Sequence, residues 1–205
     1  MIMWIRAAAV AACVVLLAGC TGSTGAGRVA TEESSAGRSI QARWWEWAAA
    51  EPEGTNPVVD ETGEHCARNQ PGDVWFLAGT FGGRVERRCT VPLGVPVVAP
   101  VVNLVATRAW DCFAFMTEAS GVVELDGAEV PLERFEDEPI TFVAGAGNPV
   151  TGVGGSTQGA GCGLWARIDP LGAGEHHVSI RGTSGTLEVV AEYTLTVAAS
   201  SESAA

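Results

Sequence analysis

The 205-residue chain contains no lysine. That absence removes the phosphate-binding lysine of a Walker A loop, the amine of Schiff-base and pyridoxal phosphate chemistry, and the lysine of an S-x-x-K serine enzyme. Positive charge rests on 12 arginines against 24 acids, a net charge of −12. Only Arg87 and Arg88 are adjacent, so there is no basic patch, and nucleic acid and anionic lipid surfaces are poor partners. There is no G-x-S-x-G elbow, no H-E-x-x-H helix and no C-x-x-C pair. Only three histidines occur. His65 stands alone, and His176 and His177 are neighbours that point to opposite faces of a strand and cannot share a metal. His176 lies on the face of Val178 and Ile180 and is expected as a core-edge histidine with a satisfied hydrogen bond. The acids around Asp60 and Glu61, and those from Asp126 to Glu138, match no calcium-loop spacing and read as solvated surface. No catalytic residue, metal ligand or cofactor is assigned.

What is present begins with an export signal. MIMWIR carries Arg6, AAAVAACVVLL is an apolar run of eleven, and LAGC ends at Cys20. A run of that length falls short of the ~20 residues of a spanning helix, and the pattern predicts a signal peptide over residues 1–19. LAGC resembles the lipobox of bacterial lipoproteins. That resemblance implies cleavage before Cys20 and acylation there, with the chain held on the outer side of the cytoplasmic membrane. Residues 20–38 are Gly, Ser, Thr and Ala with scattered charge, a flexible tether of roughly 25 Å. A single domain is predicted over 39–198, with a disordered tail over 199–205.

Four cysteines remain in that domain, an even number that in an exported chain reads as two disulfides. Of three possible pairings, Cys66 with Cys89 and Cys112 with Cys162 is the expected one.

The hydrophobic pattern is mainly β. One helix is predicted, from Ser39 to Ala50, capped by Ser39 and stopped before Pro52. Ile40, Trp44, Trp47 and Ala48 share its apolar face, which makes Trp44 and Trp47 core anchors. Trp45 sits on the shoulder and is the candidate ligand contact, because an exposed indole stacks on sugars and cations. VWFLAGTF (74–81) and VPVVAPVVNLVA (95–106) read as strands. FAFMTEASG holds a short helix or turn. VVELDGAEVPLERF is a hairpin turning at Asp126-Gly127, and ITFVAGAGN adds another strand. The glycine-dense stretch 145–163 reads as a flexible crossover tied down by Cys162. LWARIDPLGAGEHHVSIRG gives two strands, and TLEVVAEYTLTV alternates strictly. The fold class predicted is an antiparallel β-sandwich, Ig-like or jelly-roll-like, with one short N-terminal helix.

In order along the chain come a W-x-x-W helix, an N-P-x-x-D-x-x-G-x-x-C loop, a V-W-F-L-A-G strand, an R-x-C-x-V-P turn, VELDGAEVPL, and PLGAGEH, similar to a P-L-x-P-G-x-H segment. From about Ala42 to Val197 this resembles an uncharacterised family of secreted bacterial proteins. The resemblance implies an exported β-rich domain and no named activity. Where that pattern has Asp-Gly before Tyr-Trp, this chain has Cys162-Gly163-Leu164-Trp165. The function expected is a non-catalytic binding or structural module at the cell envelope, taking a glycan or protein ligand. The alternative is a secreted hydrolase whose carboxylates meet only in three dimensions.

Overall fold

The computed structural model describes residues 38–198. The signal peptide, Cys20, the tether and the tail lie outside the described residues.

Helix α1 (Ile40–Ala48) starts where Ser39 accepts a hydrogen bond from the Gln41 amide at 3.2 Å. Its far end is received by Asn56, whose side-chain amide donates to the carbonyls of Ala48 and Glu51 at 2.8 and 3.0 Å, supplying donors to carbonyls a helix end leaves open. The strands are β1 (Trp75–Phe76), β2 (Gly83–Val91), β3 (Val97–Ala106), β4 (Ser120–Leu125), β5 (Ala128–Val130), β6 (Leu132–Ala144), β7 (Gly155–Ile168), β8 (Gly174–Ser184) and β9 (Leu187–Val197). They form two sheets, A in the order β1-β3-β7-β6 and B in the order β2-β9-β8-β4-β5. Asp126 and Gly127 both have positive φ and make the tight turn between β4 and β5.

The sheets pack face to face around a core that includes Val97, Ala99, Val101, Ile180, Ala191 and Leu195. The strict alternation of β9 puts Val189, Ala191, Tyr193, Leu195 and Val197 into that core and turns Glu188 and Thr196 outward. The other face of sheet A carries a second core in which α1 docks on Phe76, Val98, Ile140, Phe142 and Trp165. The molecule is therefore mainly β and sandwich-like, with α1 as a third layer. Cys66 bonds to Cys89, and Cys112 to Cys162. Two disulfides fit an oxidising, extracytoplasmic setting.

Three features differ from the sequence-based expectation. The sheets are mixed: β1 runs parallel to β3, and β2 parallel to β9. In both pairs the partners are separated by strands of the other sheet, so no hairpin forces them antiparallel. Where FAFMTEASG leaves a short helix or turn open, the chain forms a longer helix that starts earlier, α2 (Ala109–Glu118), whose buried positions Cys112 and Met116 are four residues apart. Its exposed face carries Trp110 and Phe113, which blurs the amphipathic pattern. Finally, the glycine-dense stretch is not a flexible crossover. Asn148 pins residues 145–153 by donating to the carbonyls of Gly145 and Val153 and accepting from the amides of Val150 and Thr151. From Gly155 onward the chain is β7, paired with β6 from Gly155 and with β3 from Ala160. Gly159, Gly161 and Gly163 alternate at strand period. A Cβ would lie 2.6 Å from the Ala106 carbonyl at Gly159, 2.9 Å from Ile140 at Gly161 and 2.5 Å from the Val102 carbonyl at Gly163. Glycine is what lets the neighbouring strands close on β7.

Candidate functional site

The three tryptophans of α1 divide by what their indole N–H groups find. Trp44 donates to the Leu77 carbonyl and Trp47 to the Arg68 carbonyl, both at 2.8 Å. Both rings are buried, and Trp44 meets Trp165 edge-on at 5.6 Å. They anchor the helix. Trp45 is not the exposed shoulder residue that its helical position predicts. It is 7% exposed and stacks on Phe142 at 6.3 Å, because α1 lies deep enough on sheet A to cover its flank. Its Nε1 is buried and finds no acceptor among the described residues.

Trp45 nevertheless lines a cleft. β1 covers β3 only at Val97 and Val98. Past Phe76 the chain leaves sheet A through Gly79–Phe81 and enters sheet B at Gly83. Beyond Val98, therefore, β3 has no strand on that side among the described residues. A cleft of about 240 Å³ follows this edge, lined by Trp45, Phe81, Asn103, Val105, Val150 and Leu187 among others. Asn103 contributes a second buried donor without an acceptor, its Nδ2. No Arg, His, Asp or Glu among the described residues lines the cleft. An apolar concavity with a few polar groups is the form of a binding site.

The motif residues that stand out in the sequence are spent elsewhere. Arg87 is 1% exposed, yet it pairs with no carboxylate among the described residues. It donates to the carbonyls of Asp60, Ala78, Gly79 and Val58 and to the Tyr193 hydroxyl. Tyr193 in turn donates to the Ala78 carbonyl at 2.7 Å. Charge-assisted bonds of this kind offset the desolvation of a buried cation. The Asp60 carboxylate accepts from the backbone amides of Thr62, Gly63 and His65. Burial works to raise its pKa, but these amides outweigh burial and hold it below the usual carboxylate range. Gly63 has φ +92°, and a Cβ there would run into the Arg88 carbonyl. The Asn-Pro loop is thus a brace beneath Cys66 and Arg87.

On the outer face of sheet B, Arg181 bridges Glu124 and Glu192 at 3.0 and 3.3 Å, and Arg84 joins Glu86 at 3.2 Å. Among the described residues, three carboxylates have a displaced titration, and each is displaced downward. The Thr55 hydroxyl lowers Glu51, the backbone amides lower Asp60, and the His177 amide lowers Asp126. This is the direction opposite to a general acid that must hold its proton near neutrality. His176 sits between the Asp126 carboxylate, 2.8 Å from Nδ1, and the Gly172 carbonyl, 3.1 Å from Nε2. Asp126 raises the His176 pKa, and the two together clamp the β4–β5 turn to β8. Among the described residues no cluster of three or more His, Cys, Asp or Glu side chains could hold a metal ion.

The sequence pointed to Trp45 but not to Asn103, Val105, Phe81 or Leu187, which line the same cleft. It also gave no sign of Trp110 and Phe113. These two are 68% and 59% exposed, and their rings stack at 5.1 Å on α2.

Compared with known proteins, the chain matches no family model, no curated protein and no solved structure. Fold and cleft alone define its class: a disulfide-stapled mixed β-sandwich with an open apolar sheet edge.

Proposed function

We propose that this chain is an exported lipoprotein, anchored to the membrane through Cys20, whose sandwich is a non-catalytic binding module of the cell envelope. Kinship with the uncharacterised family of secreted bacterial proteins is part of the proposal. The observation that carries it is the apolar, uncharged cleft beside Trp45. The LAGC sequence and the polar stretch after it support the anchor and tether. The two disulfides are consistent with export.

Two experiments test the proposal. The wild-type chain partitions into a detergent phase, and the Cys20→Ser chain stays in the aqueous phase. The Cys20→Ser chain then binds the neutral apolar dye Nile red saturably, and Leu187→Trp, which fills the cleft, weakens that binding at least tenfold. Equal partitioning of the two chains would overturn the anchor. Dye binding that is absent, or indifferent to Leu187→Trp, would overturn the site.

A further inference from the structure

The cleft runs along a sheet edge. Taking that cleft as the binding site, we infer that its occupant is a polypeptide: an extended, uncharged segment of a partner protein that joins sheet A as an added strand beside β3.

The edges of the two sheets are treated differently. β2 alternates Arg84, Glu86 and Arg88, and the Arg88 amide is bonded to the Thr62 carbonyl. β5 is three residues long. β6 carries Glu133, Arg134, Glu136, Asp137, Glu138 and Pro139, with a break in register between Phe135 and Glu138. Charge, brevity, proline and bulges are the devices that stop an edge from pairing with another chain. The open part of β3 after Pro100 reads VVNLVA and has no charge at all.

Register supplies the hydrogen-bonding groups. The Val98 carbonyl accepts from the Leu77 amide, so Val98 faces β1, and Val97 and Ala99 face β7. The shift between Pro100 and Val102 changes that parity. Val102, Leu104 and Ala106 then face β7, and the backbone groups of Asn103 and Val105 face the open side. Donors and acceptors at two-residue spacing match the backbone of another strand, which a lipid chain or a sugar does not offer.

The walls define the side chains. Sheet A lies between α1 and sheet B, so the cleft has one wall from each. Trp45 and Val150 belong to the α1 side, and Leu187 and Val189 to the sheet B side. A strand lying between them points alternate residues at each, and both walls are apolar. The span from Val101 to Val105 takes about five residues, roughly 17 Å. With no charge in the lining and a chain of net charge −12, inserted residues must be uncharged and acidic flanks are disfavoured. A second copy fits poorly, because its own β3 edge would bring Trp45 and Leu187 walls into the same space. The chain's own TGSTGAGRVATEESSAG, residues 21–37, lacks the apolar alternation.

The test uses the full chain carrying Cys20→Ser and a displayed library of random heptapeptides. The expected winners are rich in alternating β-branched residues and lack acids. A synthetic winner should slow amide exchange at Asn103 and Val105. N-methylation of its alternate amides should weaken binding at least tenfold, and so should Val105→Lys in a chain whose circular dichroism is unchanged. The N-methyl comparison needs no protein variant, so a misfolded Val105→Lys leaves the test intact. No enrichment, protection elsewhere, or indifference to N-methylation would overturn the strand. Saturable Nile red binding alongside that failure would leave the binding cleft standing with a different occupant. Failure of both probes would remove the cleft as a site.

Discussion

The Arg87 guanidinium meets the Tyr193 hydroxyl at 2.6 Å inside the sandwich, and every other hydrogen-bond partner of that guanidinium is a backbone carbonyl. Tyr193 also accepts from the Ala78 amide at 3.0 Å. Tyr193→Phe leaves that amide without its acceptor, while the Arg87 Nη1 hydrogens keep the Ala78 and Gly79 carbonyls, at an expected cost of about 1–3 kcal/mol. Arg87→Met strands several carbonyls at once and should cost about 3–5 kcal/mol. Urea unfolding with the disulfides intact measures both. A loss below about 1 kcal/mol for Arg87→Met would show that the cage is not what holds the Asn-Pro loop.

Gly63→Ala is expected to destabilise the domain by about 2–4 kcal/mol, combining backbone strain at positive φ with the Arg88 clash. Gly72→Ala is the control, since its φ is also positive but its Cβ meets nothing within 4 Å. The difference between the two variants in thermal unfolding isolates the steric part. Equal losses would mean that the clash is relieved by a small movement of the loop.

Trp44 and Trp45 touch at 5.0 Å and differ in their indole bonds. Trp44→Phe deprives the buried Leu77 carbonyl of its Trp44 donor and is expected to cost about 1–3 kcal/mol more than Trp45→Phe, which loses no hydrogen bond. Acrylamide quenching provides a second check. Trp110 is the exposed indole of the domain, so Trp110→Phe should abolish most of the quenchable emission. Substantial quenching that survives in Trp110→Phe would contradict the burial of the α1 cluster.

Stability should depend on pH through His176 and Asp126. The Asp126 bond raises the folded His176 pKa above its unfolded value. Its contribution is therefore complete below the unfolded imidazole value and lost as pH rises through the folded one. Asp126 has the opposite sign. Its pKa is lowered, first by the His177 amide, so its contribution is present above the unfolded carboxylate value and fades as pH falls through the folded one. The pair acts most strongly between the two ranges. His176→Gln should lose melting temperature relative to wild type at pH 5.5 and less at pH 8.5. A constant difference across that range would rule out the ion pair as its source.

Local pattern made much of the fold legible. The period of α1, its serine cap, the alternation of β9 and the Asp126-Gly127 turn each follow from short stretches whose physics is local. β7 was harder, because glycine normally marks a turn. Only the two-residue spacing of Gly159, Gly161 and Gly163 signals a strand, and its cause is the close approach of Ala106, Ile140 and Val102 from both sides. Trp45 was visible as a special position, but its burial depends on how deeply α1 sits on Phe142.

By itself the sequence determined the chemistry available: no lysine, no recognisable catalytic set, four cysteines in the domain and a β-rich alternation that must bury one face of each strand. Those are properties of composition and nearest neighbours. The tertiary structure alone decided that β1 stops after two residues, that two strand pairs run parallel, and that an uncharged stretch of β3 is left as an edge beside Trp45. Strand pairing is a contact between segments far apart in the chain. An edge exists only when all the pairings are known, so no stretch of sequence could announce it.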